Sequence, residues 1–178
     1  MIDRKFIFQM EPWIGQEERD AVLKYMESGG WLTEYKYTRQ FESMIADYVG
    51  ARYASVVCNG TISLLAALLA AGIRMGDEVI VPDFTMIASA NSVIWAGGTP
   101  VLVDVDEKSL CLDLEKAEKA ITKKTKAIVF VSLNGRAANM EALLDLCRKH
   151  GLILIEDAAQ SLGARYKGKH MGTFGAVG

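Results

Sequence analysis

Leu152-Ile153-Leu154-Ile155 followed by Glu156-Asp157-Ala158-Ala159-Gln160-Ser161-Leu162-Gly163-Ala164 is the stretch on which the fold turns. The apolar run, bounded by Gly151, reads as a buried strand of a parallel sheet. A strand that ends in an acidic pair delivers carboxylates to the carboxyl edge of an α/β sheet, where open α/β folds place their ligands. Asp157 and Gln160 are three residues apart, so one helical turn between them would bring both side chains to one side. An acid and an amide presented together suit a planar heteroaromatic ligand, the carboxylate pairing with a ring N–H⁺ and the amide with a ring oxygen. Asp157 would serve equally well as the N-cap of a helix over AAQSLG, and at this point both readings stand. Glu156 beside it makes a poor acid/base dyad, because adjacent strand residues point to opposite faces.

Outward from this strand the chain alternates. After an N-terminal arm, Glu17–Ser28 reads as an amphipathic helix stopped by Gly29-Gly30, and a second helix covers Thr38–Val49, closed by Gly50. A strand over Tyr53–Val57 leads to a helix from Ile62, a strand over Glu78–Val81 to a helix over Ile87–Trp95, and a strand over Pro100–Val103 to a helix over Leu114–Ile121. Ala127–Val131 then precedes a helix over Met140–His150, which returns to Leu152–Ile155. This βαβα order predicts an α/β fold, a mostly parallel sheet with helices on both faces. The expected organisation is an arm and helices over 1–50 and a large α/β domain over 51–178. Gly168–Gly178 is glycine-rich and ends in what reads as the entry to another strand. The chain therefore reads as the amino-terminal part of a longer polypeptide, a short protein folding alone being the other reading.

At 178 residues, 51% hydrophobic and 24% charged, the chain has the size and composition of one buried globular domain. A net charge of −2 with scattered Lys and Arg gives no footprint for nucleic acid. No apolar run is long enough to span a bilayer. The three cysteines are far apart, without metal-type spacing, and point to a cytoplasmic location. Neither His150, closing a helix, nor His170, among glycines, resembles a metal ligand. Trp13, Trp31 and Trp95 read as packing residues.

Three further strand-to-helix turns would share the edge that carries Asp157. Asn59-Gly60-Thr61 opens a helix, whose free N–H groups and dipole make a phosphate site, although Thr61 could simply cap it. Pro82-Asp83-Phe84-Thr85-Met86 could cover the face of a ring, and Met is soft enough to do so; the alternative is a capped helix with Phe84 in the core. Leu133-Asn134-Gly135-Arg136 is first of all a turn.

Taken together, GGWLTEY, FESMIADYVGARYA, NGT, GDEVIVPDFT, ANSVIWAGGTPVLVDVD and IEDAAQSLGARYKGKHMGTFGAVG resemble, in order and over nearly the whole chain, the DegT/DnrJ/EryC1/StrS family of sugar aminotransferases. The resemblance implies the large domain of the aspartate-aminotransferase-like fold, PLP fold type I, left incomplete at its C-terminus and without the small C-terminal domain. It implies pyridoxal 5′-phosphate (PLP) as cofactor. Asp157 would bind the pyridine nitrogen and Gln160 the ring hydroxyl oxygen. Gly60 and Thr61 would hold the phosphate, and Met86 would stand where many relatives place a stacking aromatic. The implied reaction is transfer of an amino group, from glutamate, to a nucleotide-linked 4-keto-6-deoxy sugar in a homodimer.

Other positions depart from the family pattern. Ser132-Leu133-Asn134 stands where relatives often have His-Leu-Tyr, and Glu34-Tyr35 replaces a common Thr-Gly, so substrate preference is expected in these loops. No catalytic residue is expected in this chain: the family's Schiff-base lysine falls beyond Gly178. Two alternatives stay open on that ground, a dehydratase that uses pyridoxamine 5′-phosphate (PMP) with His in place of Lys, and a non-catalytic truncated partner chain.

Overall fold

The computed structural model describes residues 11–31 and 35–178, and its contacts divide the chain into two compact units, Met1–Gln40 and Phe41–Gly178. Residues 1–10 of the N-terminal arm, and Glu34, lie outside the described residues. In the first unit, helix α1 (Gln16–Glu27) starts at Gly15, whose N–H donates to Glu18 Oε2 at 2.6 Å. Tyr25 and Tyr37 meet edge to face, 5.1 Å between centroids. Helix α2 (Lys36–Val49) runs on into the second unit.

The second unit follows the alternation read from the sequence. Helix α3 (Gly60–Ala70) precedes strand β1 (Glu78–Pro82), helix α4 (Ile87–Trp95) and strand β2 (Thr99–Val103). Helix α5 (Leu114–Ala120), strand β3 (Thr125–Val131), helix α6 (Met140–His150) and strand β4 (Ile153–Asp157) come next. The four strands form one sheet in the order β2-β1-β3-β4 with every pair parallel, so their carboxyl ends share one edge. Strand periodicity then sorts the core into two layers. Val79, Val81, Ala127, Val129, Val131 and Ile155 face α3 and α4, while Ile80, Ile128, Phe130 and Leu154 face α5 and α6. The expected parallel sheet with helices on both faces is what forms. Val177 makes a parallel bridge to Ile155, so the glycine-rich end does enter the sheet beside β4.

Several expectations need correction. Tyr53–Val57 is not a strand. A strand exists only where a neighbour pairs with it, and here the Val56 N–H donates instead to Glu42 Oε1 at 2.7 Å. The expected tryptophan packing fails too: Trp13, Trp31 and Trp95 are all exposed. Trp95 lies on α4 away from the buried Ser89, Ser92 and Val93 that meet the sheet. Arg165–Tyr166 (β5) and Lys169–His170 (β6) make a small antiparallel hairpin absent from the sequence reading. Its two-residue loop, Lys167-Gly168, has φ of 48° and 86°, the left-handed pair that a tight hairpin requires. His170 is buried against Tyr48, 5.0 Å between ring centroids, with neither ring nitrogen hydrogen-bonded among the described residues.

Candidate functional site

Asp157 ends β4 and no helix follows it; residues 158–164 form turns. The helix-cap reading of Asp157 is therefore excluded, and so is a helical turn joining it to Gln160. The carboxylate is gripped from two sides: Oδ2 accepts from the Ser89 hydroxyl at 2.9 Å and Oδ1 from the Ala159 N–H at 3.3 Å. Glu156, one residue earlier, faces the opposite layer and is 2% exposed. Its Oε2 accepts from the Gly172 N–H at 2.9 Å, and its Oε1 from Phe174 and Gly175 at 2.5 and 2.6 Å. This buried carboxylate pins the glycine-rich segment under β4. Gly175 has to be glycine, because a Cβ there would stand 2.5 Å from the Leu154 carbonyl oxygen. The two adjacent acids thus divide as their strand position dictates, one toward α4 and one toward the segment it anchors.

Asp157 opens into a cleft of about 640 Å³ at the carboxyl edge, a volume suited to a cofactor-sized ligand. Gly60, Thr61, Thr85, Met86, Asp157 and Gln160 line it, with Phe41, Ile45 and Leu162 adding apolar wall. All five residues singled out from the sequence thus meet in one place. Asn59, not Thr61, caps α3: its Oδ1 accepts from the Ile62 N–H at 3.0 Å. That leaves the N–H groups of Gly60 and Thr61, and the Thr61 hydroxyl, without a protein partner among the described residues. Nothing in the protein stands within 4 Å of a Cβ placed on Gly60, so the space beside it is open.

Gln160 reaches across to the next turn, its Oε1 accepting from the Asn134 N–H at 2.9 Å. Because a backbone N–H can only meet the amide oxygen, the Nε2 end is left to donate elsewhere. Asn134 adopts φ 52°, ψ 35° inside the turn Leu133–Gly135, so the turn read from Asn-Gly is present and is tied to the site through Gln160. Met86 is the N-cap of α4 without a side-chain cap bond, and is 64% exposed at the cleft. Phe84 is 54% exposed, which removes the reading of a capped helix with Phe84 in the core. The sequence reading missed Ser89, the buried hydroxyl on Asp157. Its signal was available, since Ser89 and Ser92 put small polar residues three apart on the one face of IASANSVIW that meets the sheet. Among the described residues no cluster of acidic, His and Cys side chains could hold a metal, and no helix is long and apolar enough to cross a membrane.

Residues 12–178 match the DegT/DnrJ/EryC1/StrS aminotransferase family. The chain is 46% identical over 176 residues to GDP-perosamine synthase of Caulobacter vibrioides, covering 98% of this chain and 47% of the relative. It superposes on an aminotransferase from Psychrobacter cryohalolentis with a TM-score of 0.88 at 42% identity, over 95% of this chain and 43% of that one. A structure of NtdA from Bacillus subtilis with bound cofactor PMP matches at TM-score 0.82 and 34% identity, over 89% of this chain and 37% of that one. The chain spans about half the length of the curated relatives it matches.

Proposed function

The chain belongs to the DegT/DnrJ/EryC1/StrS aminotransferase family, and from that premise we propose that it carries the cofactor-holding part of a PLP-dependent sugar aminotransferase. The observation that carries the reading is the convergence, on one cleft, of a phosphate-competent helix terminus, a carboxylate and an oriented amide. These donors fit PLP. The unpartnered N–H groups of Gly60 and Thr61, with the Thr61 hydroxyl, would hold its phosphate at the positive end of α3. Asp157 would face the ring nitrogen and keep its proton in place. Gln160, with its oxygen taken by Asn134, would donate from Nε2 to the ring hydroxyl oxygen. Met86 would cover one face of the ring. When bound, the cofactor supplies an electron sink for the carbon that gains or loses the amino group.

The resemblance to GDP-perosamine synthases supports a nucleotide-linked 4-keto-6-deoxy sugar as acceptor and glutamate as donor. The lysine that moves protons between them is expected in the part of the relatives' length that this chain does not span. Ile87, Ile94 and Trp95 expose an apolar face of α4 that a second subunit would cover, and sedimentation of the native protein at micromolar concentration should report a dimer.

The test is turnover of GDP-4-keto-6-deoxymannose with glutamate by the native protein, followed by product mass. An amino sugar supports the transfer, whereas a dehydrated keto sugar would assign the dehydratase reaction instead. Asp157→Ala should lower transfer on the order of 10²–10³-fold, the usual loss when a pre-organised charge partner is removed. Near-wild-type turnover would refute the role given to Asp157.

A further inference from the structure

Ser89 is completely buried on α4, yet its hydroxyl does not bend back to its own helix as buried helical serines commonly do. Ser92, one turn later, shows the ordinary behaviour and donates to the Ser89 carbonyl at 3.1 Å. Ser89 Oγ crosses instead to β4, 68 residues away in sequence, and meets Asp157 Oδ2 at 2.9 Å. On its other side stands Thr85 Oγ1 at 3.2 Å. The polarity of this chain follows from counting protons. A carboxylate only accepts, and a serine hydroxyl has one proton to give. Ser89 therefore donates to Asp157 and accepts from Thr85. Thr85 in turn lines the cleft with its proton already committed, so it meets any ligand there with lone pairs alone.

Resting on the PLP reading of the cleft, we infer that Ser89 is a positioning residue, and that the one-way chain Thr85 to Ser89 to Asp157 holds the carboxylate toward a pyridine ring. With Oδ2 bonded to Ser89 and Oδ1 to the Ala159 N–H, both torsions of Asp157 are fixed before a ligand arrives. Pre-organisation of this kind gives the carboxylate its full value on the ring nitrogen, because no rotamer entropy is lost on binding. An apolar residue at this position would leave Asp157 Oδ2 and Thr85 Oγ1 without this partner; the hydroxyl serves the carboxylate.

The test uses the native protein and PMP, a probe that binds without a lysine bond. Wild type, Ser89→Ala, Ser89→Thr and Thr85→Val are titrated for PMP affinity. The ring nitrogen of bound ¹⁵N-labelled PMP is followed by NMR across pH. Loss of the hydrogen bond to the charged group should weaken PMP about tenfold in Ser89→Ala. The pH at which the bound ring nitrogen loses its proton should fall by about one unit. Ser89→Thr, which keeps the hydroxyl, should bind within about threefold of wild type. Thr85→Val leaves the Ser89–Asp157 bond in place, and its effect should be smaller than that of Ser89→Ala and less than additive with it. If Ser89→Ala does not fold, Ser89→Cys, a weak donor of similar size, carries the same expectation of loss. Wild-type binding of PMP with an unchanged affinity and nitrogen titration in the Ser89 variant would overturn the inference alone. A wild type that does not bind PMP would overturn the PLP reading and the inference together.

Discussion

Replacing Glu156 by glutamine tests whether a buried carboxylate, and not simple packing, holds the glycine-rich segment under β4. The carboxylate accepts three backbone N–H groups, Gly172 at one oxygen and Phe174 and Gly175 at the other. An amide has only one oxygen. In its better orientation Oε1 keeps Phe174 and Gly175, and Nε2 then points a donor at the Gly172 donor. One buried N–H is orphaned, at about 1–3 kcal/mol, and two charge-assisted bonds become neutral, at about 1 kcal/mol each. These are net values with desolvation already included, so the loss is about 3–5 kcal/mol out of a total stability on the order of 5–15. With a urea slope near 2 kcal/mol/M, the unfolding midpoint should drop by about 2 M. Hydrogen exchange locates the effect: the Gly172, Phe174 and Gly175 amides should lose protection beyond the global change. A midpoint shift below about 0.5 M, or three amides as protected as in wild type, would refute the reasoning.

Met86→Phe should tighten PMP by roughly 2–10-fold, the value of an aromatic face against a ring; unchanged or weaker binding in a direct titration would count against Met86 as the ring-covering residue. Desolvation by burial pushes the Cys147 thiol up to about 11 and raises Cys111 as well, while Cys58 is exposed. At pH 8 iodoacetamide should therefore modify Cys58 quickly and leave the other two until the chain is unfolded, as mapped by peptide mass. A second fast site among the three would contradict the burial.

The local alternation of apolar runs, glycine stops and capping residues was enough to place β1 to β4 and α1 to α6 within a few residues, because periodicity and punctuation are properties of neighbouring residues. The same locality explains the errors. Tyr53–Val57 has strand composition, but pairing is a contact with another part of the chain, and its composition does not say whether that contact exists. The β5–β6 hairpin was missed because Lys-Gly lacks the Asn-Gly signature, even though its two residues adopt the required left-handed conformation.

By itself the sequence determined the α/β class, the family, and five of the residues that line the cleft, since each lies at or just after the end of a strand or at the start of a helix, and a parallel sheet brings such ends to one edge. Only the tertiary structure decided how those residues are held. It turned Asp157 toward Ser89 and Glu156 toward the Gly172–Gly175 segment, assigned the Asn134 N–H to Gln160, and gave the Thr85–Ser89 hydroxyl pair its direction. The physical reason is that a hydrogen bond depends on the distance and orientation of atoms far apart in the chain: Ser89 and Asp157, 68 residues apart in sequence, become neighbours only when α4 packs on the face of the sheet that carries β4.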